Sequence, residues 1–279
     1  MEKTHATLTD QANADALALR KACRFEEAAA RLLAFLDAGH PLTAVEQLRT
    51  RNNLAMLARD RGLYRAALSI HSEAEPYADA CRDPLVRGKF HNGRALTHQK
   101  LGDPDAAILE FTAAAYHHEK AGAHRERADI ENNLAVILVE AGRVAEAMEH
   151  LALALGSCAD EAVRAQYEDT RALIALAAGD GRTALEFSYA SVERLRRVGD
   201  APLLAQSART LVRAGRAYLR ELEERRVRET LEACEWSLTR AYPCLGFNSR
   251  QALENHLKRN FPRLDEERRN KSVASPDGP

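Results

Sequence analysis

Arg51-Asn52-Asn53-Leu54-Ala55-Met56-Leu57-Ala58 returns 80 residues later as Glu131-Asn132-Asn133-Leu134-Ala135-Val136-Ile137-Leu138. Each copy is followed at the same distance by a glycine (Gly62, Gly142) and then by an alanine (Ala67, Ala147). Near-copies at a fixed offset are the mark of a repeat, which has to be recognised before any local reading of the fold.

The register extends in both directions. Gly62, Gly102, Gly142 and Gly179 are spaced 40, 40 and 37 residues apart. Each is preceded by an alanine (Ala55, Ala95, Ala135, Ala172) and followed by another (Ala67, Ala107, Ala147, Ala184) at constant distance. One step back, Cys23 takes the glycine position between Ala16 and Ala28, so five repeats share both alanines. An alanine on each helix of an antiparallel pair lets the axes approach to the short end of the usual range of about 8–10 Å. A glycine ends the first helix because it accepts a left-handed backbone. Four residues beyond the second alanine come Leu32, His71, Phe111, Leu151 and Ser188, the helical spacing of one buried face. This places His71 in a packed, aromatic-type position.

Composition agrees. Ala, Leu, Arg and Glu are good helix formers and abundant, aromatic residues make up only 5%, and the expectation is an all-α chain. A net charge of -1 argues against a general nucleic-acid binder, which carries a strongly basic face. No apolar run is long enough for a membrane helix, and Met1 to Gln11 lacks an apolar signal core. A cytoplasmic location is the default. Cys23, Cys81, Cys158, Cys234 and Cys244 are odd in number and widely spaced, which favours free thiols.

A helix, a glycine turn and a second helix carrying Ala and an apolar residue resemble the tetratricopeptide repeat (TPR). The likeness covers about Leu8 to Gly199. It departs from the common pattern in lacking the first-helix Trp and in its period near 40. In that it is similar to the long-period repeats of kinesin light chains and of bacterial peptide-sensing regulators. The resemblance implies a right-handed superhelix of antiparallel helix pairs, with the first helices lining a concave groove.

With the first-helix alanine numbered 8, position 5 holds Asn13, Asn52, Asn92, Asn132 and Asp169, and position 6 holds Asn53 and Asn133. Asn is a poor mid-helix residue because its side chain competes for backbone hydrogen bonds, so its recurrence calls for a reason. The resemblance makes these residues a floor that clamps the backbone of an extended peptide or partner helix. The alternative is that they bridge neighbouring repeats. Arg20, Lys21, Arg49, Arg59, Lys89 and Lys100 make the first three repeats basic in groove register, and Asp129 and Glu140 make the fourth acidic. The candidate groove residues are thus Asn13, Asn52, Asn53, Arg59, Lys89, Asn92, Lys100, Asn132, Asn133 and Asp169. The basic end suits an acidic side chain or a C-terminal carboxylate.

Residues 200–262 read as a C-terminal capping region. Asp200 caps a long charged stretch from Leu203 to Arg240, the chain turns at Tyr242 to Gly246, and Asn248 with Gln251 opens a last helix. Residues 263–279 read as a disordered tail. The C-terminal helices are also the candidate homodimer surface. The sequence holds no phosphate loop, nucleophile elbow or His-Glu-x-x-His motif. His91, His98, His117, His118 and His124 lack metal-ligand spacing. Neither catalysis, a cofactor nor a metal is expected. Phosphatase activity of the peptide-sensing regulators needs a further helical bundle, for which little room precedes Leu8. The functional expectation is a peptide- or protein-binding adaptor or scaffold, without direct contact to nucleic acid or membrane. The alternative is a peptide-gated sensor acting on a separate catalytic or DNA-binding protein.

Overall fold

The computed structural model describes residues 2–39, 41–156 and 160–273, and these form fourteen helices and no strand. The first ten are paired: α1 (Glu2–Lys21) with α2 (Phe25–Asp37), α3 (Ala44–Asp60) with α4 (Tyr64–Ala80), α5 (Pro84–Leu101) with α6 (Pro104–Lys120), α7 (His124–Glu140) with α8 (Val144–Leu155), and α9 (Glu161–Ala178) with α10 (Gly181–Val198). The helix α11 (Ala201–Ala233) packs on α10 and α9 as the first helix of a sixth unit, and α12 (Leu238–Cys244), α13 (Arg250–Asn260) and α14 (Pro262–Val273) follow. First helices also touch first helices of the next pair, α1 with α3, α3 with α5, α7 with α9 and α9 with α11.

The alanine register is the seam of each pair. Ala28, Ala55, Ala67, Ala95, Ala107, Ala135, Ala147, Ala172 and Ala184 have no accessible surface. Larger side chains sit between pairs: Phe111, Leu134, Ile137, Leu138 and Tyr167 build the largest continuous core, across α6 to α9. The turn inside each pair demands a left-handed residue. Gly62, Gly102, Gly142 and Gly179 supply it, with φ from 76° to 79°, and Cys23 is forced into the same conformation at φ 57°. Second helices begin on aspartates where the turn allows: the carboxylates of Asp103 and Asp180 accept from the amides of Ala106 and Thr183.

The C-terminal region differs in detail from the sequence reading. Asp200 caps α11 through the Leu203 amide as expected. The charged stretch does not continue to Arg240, because Glu235 and Trp236 both turn left-handed (φ 53° and 59°) and end α11. Tyr242-Pro243-Cys244 is helical, with Pro243 one residue from the end of α12, where little of the hydrogen-bond ladder remains for it to interrupt. The cap of α13 is Ser249, whose hydroxyl accepts from the Ala252 amide, rather than Asn248, and α13 is not the last helix, since α14 follows. The expected disordered tail is a helix as far as Val273: Leu264 is fully buried, Asp265 is held by Arg268 and Arg269, and Glu267 meets Arg228 of α11 at 2.5 Å. Residues 274–279 lie outside the described residues. Val227, Leu231, Leu238, Leu253, Leu257, Phe261 and Leu264 give this region a core of its own.

Cys23, Cys81, Cys234 and Cys244 are free thiols, and Cys158 lies outside the described residues. No helix is long and apolar enough to cross a membrane.

Two substitutions separate turn geometry from close packing. Cys23→Gly relieves a left-handed strain and should raise stability by about 1 kcal/mol. Gly181 opens α10 against α11, where an added Cβ would stand 2.6 Å from the Tyr218 backbone nitrogen. Gly181→Ala should therefore lower stability by about 1–3 kcal/mol. Urea unfolding of both variants reads the two signs, and a destabilised Cys23→Gly would refute the first.

Candidate functional site

A cavity of about 460 Å³ opens on the face made by α1, α3 and α5. Asp10, Asn13, Ala14 and Leu17 come from α1, Val45, Arg49, Asn52 and Asn53 from α3, and Leu85, Val86 and Lys89 from α5, with Asp83 at the α5 cap. Four of the sequence-predicted residues are thereby brought together: Asn13, Asn52, Asn53 and Lys89. The walls alternate apolar side chains with amides because each first helix presents successive turns to the same face.

The amides are partly committed to the fold. Buried Asn13 donates through Nδ2 to the Thr9 carbonyl at 2.8 Å and to the Thr50 hydroxyl at 3.2 Å. Its Oδ1 accepts from Asn53 Nδ2 at 2.6 Å, tying α1 to α3. One repeat on, the Asn52 oxygen meets the same place on α5, but Gly93 stands there: a Cβ at Gly93 would lie 2.6 Å from Asn52 Oδ1. A glycine has no side-chain donor, so Asn52 Oδ1 is buried without a hydrogen-bond partner. The buried Oδ1 atoms of Asn92, Asn132 and Asp169 are unpartnered too. Asn132 and Asp169 are buried, while Asn92 and Asn133 are half-buried, and none of the four lines the cavity. Burial raises the Asp169 carboxyl, an effect opposed by Thr210, Ser207 and Gln206 of α11. At position 5 only Asn13 and Asn52 line the open face, and Asn13 is also bonded to the next first helix.

Two of the six cations of the predicted basic end are paired with carboxylates. Arg49 pairs with Asp10 at 2.7 Å, and Arg20 with Asp60 at 2.5 Å. Arg59 donates to the Gly93 carbonyl at 3.2 Å, and burial lowers its guanidinium. It bridges α3 to α5 instead of lining the cavity. Lys100 is exposed in the last turn of α5 and does not line it either. Lys89 remains an exposed cation of the cavity wall with no ion pair among the described residues. In the fourth repeat, Asp129 accepts from the Tyr167 hydroxyl at 3.3 Å, and burial raises its carboxyl.

Solved structures match this architecture. That of BtubC (BKLC) from P. vanneervenii aligns with 97% of this chain and 94% of its own at a TM-score of 0.54 and 18% identity. The Rap conjugation gene regulator of the plasmid pLS20, in complex with the Phr* peptide, aligns with 90% of this chain and 69% of its own at 0.52 and 14%. The fold is a TPR solenoid. No protein-family model matches the chain, and no curated protein matches its sequence.

The solenoid also holds charged rungs that the sequence reading passed over. His91 of α5 meets Glu110 of α6 through Nδ1 at 2.8 Å, while Glu131 of α7 meets His150 of α8 at 2.7 Å. His91 and Glu131 are 40 residues apart, as are Glu110 and His150, so the same contact is made with its partners exchanged. That exchange was visible in the register. Gly88 makes room for His118, which a Cβ would approach to 2.7 Å. His117 stacks on His91 with centroids 5.3 Å apart. Among the described residues no group of three or more His, Cys, Asp or Glu side chains is placed to hold a metal.

His71 is a core residue, 1% exposed, set edge-on to Phe90 with both ring nitrogens unpartnered. Burial, reinforced by Arg59 and Arg94, lowers it to about 3 from 6.5. The folded ring stays neutral while the unfolded one takes up a proton, so stability is full above pH 6.5 and falls as pH drops toward 3. His71→Phe, which copies Phe111 of the next repeat, should flatten the dependence of unfolding free energy on pH between about 6 and 4 by roughly one proton. Urea titrations across that range test this, and an unaltered slope would refute it.

Proposed function

We propose that the solenoid binds an extended segment of a protein or peptide partner in the cavity over α1, α3 and α5, as an adaptor or scaffold. The observation that carries this reading is the wall itself. Apolar Ala14, Leu17, Val45, Leu85 and Val86 alternate with Asn13, Asn52 and Asn53, and Lys89 forms no ion pair among the described residues, the wall's Asp10 being paired with Arg49 and its Asp83 capping α5. An apolar wall with a few placed polar groups is the usual make-up of a ligand site. Three first helices about 10 Å apart span roughly the reach of six extended residues. Side-chain amides donate and accept; with Asn13 taken up by Thr9, Thr50 and Asn53, the Asn52 Nδ2 and the Asn53 Oδ1 are the groups left for a peptide backbone of any sequence. Lys89 adds preference for an acidic side chain or a terminal carboxylate nearby. The walls are rigid helices, so little ordering accompanies binding.

The likeness to a regulator solved with the Phr* peptide supports a discrete short peptide as occupant, and with it the second reading, a peptide-gated sensor.

Selection from a random peptide library with free C-termini tests the site without knowledge of the partner. Enriched peptides should bind Lys89→Ala about fivefold more weakly at low salt, and the difference should shrink at high salt, as for a solvent-exposed charge pair. Leu17→Glu should abolish binding by charging the apolar wall, with the thermal unfolding midpoint as a check on folding. Peptides that bind both variants as tightly as wild type would place the binding surface elsewhere.

A further inference from the structure

A second concavity lies on the opposite side of the register. A slot of about 400 Å³ runs between α8, α9 and α10, lined by Met148, Leu151, Leu155, Ile174, Ala175 and Phe187. It opens beside the shortest of the second helices: α8 has 12 residues where α4 and α6 each have 17. Met148 is 59% exposed at its rim. Its polar groups are Arg171, Asp180 and Thr183. Asp180 is occupied as the cap of α10, accepting from the Thr183 amide at 2.9 Å.

Arg171 is the unusual member. Eight residues before the turn glycine in the third repeat stands Arg94, and eight after it stands Glu110. There Arg94 Nε lies 3.3 Å from Glu110 Oε1. In the fifth repeat the same two positions hold Arg171 and Phe187. Leu54 and Leu134 hold the first position in the second and fourth repeats, so only the third and fifth carry the cation, and in the fifth a ring stands where Glu110 does, with the guanidinium over it at 4.0 Å. Glu168, one turn earlier on α9, is taken by Arg194 at 2.9 Å. Arg171 thus forms no ion pair among the described residues, although neighbouring Arg143, Arg182 and Arg194 all do. A guanidinium seated on an aromatic ring keeps its N–H edge free for a carboxylate.

We infer that this slot binds an apolar chain ending in a carboxylate, a medium-chain fatty acid, whose tail lies against Met148, Ile174 and Phe187 and whose headgroup takes the place of the missing glutamate at Arg171. The slot falls within the usual range of small-ligand pockets, about 300–1,000 Å³. The charge is single and fixed, which suits a monoanion. This site is independent of the cavity over α1, α3 and α5.

Calorimetric titration of the whole chain with decanoate and with decanol, both below their aggregation thresholds, tests the assignment. Decanoate should bind one-to-one and about tenfold more tightly than decanol, the preference a charge-assisted contact gives. Arg171→Gln should bind the two alike. Phe187→Glu restores the internal pair of the third repeat and should lose decanoate at least tenfold. Ala152→Trp, at an exposed position on the rim, should exclude both, while Lys89→Ala should bind like wild type. Unfolding midpoints of each variant separate loss of binding from loss of fold. The inference is overturned if wild type binds decanoate and decanol equally or not at all, or if Arg171→Gln keeps the preference. Self-association that Ala152→Trp abolishes, in place of decanoate binding, would overturn it too and give the slot to a second copy of the chain.

Discussion

The rest of the solenoid depends on one constraint, a buried alanine at a fixed position on each helix of a pair. Nine of these alanines have no accessible surface at all. A larger side chain at either position would push the axes apart or bend rotamers, at about 1–3 kcal/mol for each overpacked site. The constraint acts identically in every repeat, so it fixes the hairpin and leaves the outward positions free to vary. Side chains between pairs then fill what the seam leaves open, which is why Phe111, Leu134 and Tyr167 sit there and not at the seam.

That division explains what could be read from the sequence. A constraint repeated five times stands out against unrelated variation, so Ala16 through Ala184 and the turn glycines were legible, and even Cys23 was found in its glycine position. The C-terminal region occurs once. Nothing in residues 234–237 announces that Glu235 and Trp236 turn left-handed, since neither residue favours that conformation. The helix α14 is polar along its length and reads as tail; it is held by Leu264 in a distant core and by Arg228 and Glu267 across to α11, contacts with no local signature.

The candidate site was legible in residue type and less so in direction. Asn at position 5 meets different residues at position 6 of the following first helix. Asn53 there gives the Asn13 oxygen a donor, whereas Gly93 there leaves the Asn52 oxygen without one. An unsatisfied buried acceptor costs about 1–3 kcal/mol, so the Asn52 rung is retained against a penalty that the Asn13 rung does not carry. Charge was harder still. Counting cations by register gave a basic end; the structure binds Arg20, Arg49 and Arg59 to acceptors of the chain itself and leaves Lys89 to define the wall.

The cross-pair positions obey a weaker rule than the seam. His91 with Glu110 and Glu131 with His150 preserve a contact while exchanging its ends, so it is the pair that is maintained and not either residue. In the fifth repeat those two positions hold Glu168, taken by Arg194, and Phe187, which lies under Arg171 instead, and the change has small energetic consequence. A cation on an exposed ring is worth about 0.5–1 kcal/mol, and an exposed ion pair typically about 0.2–1 kcal/mol. At the exposed Arg171 the two arrangements are therefore close to equivalent for folding, unlike the largely buried Arg94–Glu110 pair of the third repeat. Stability alone gives no reason to prefer the ring over the carboxylate, and the difference between them lies in what each offers outward: a glutamate closes the guanidinium, while a phenylalanine leaves it open above an apolar slot.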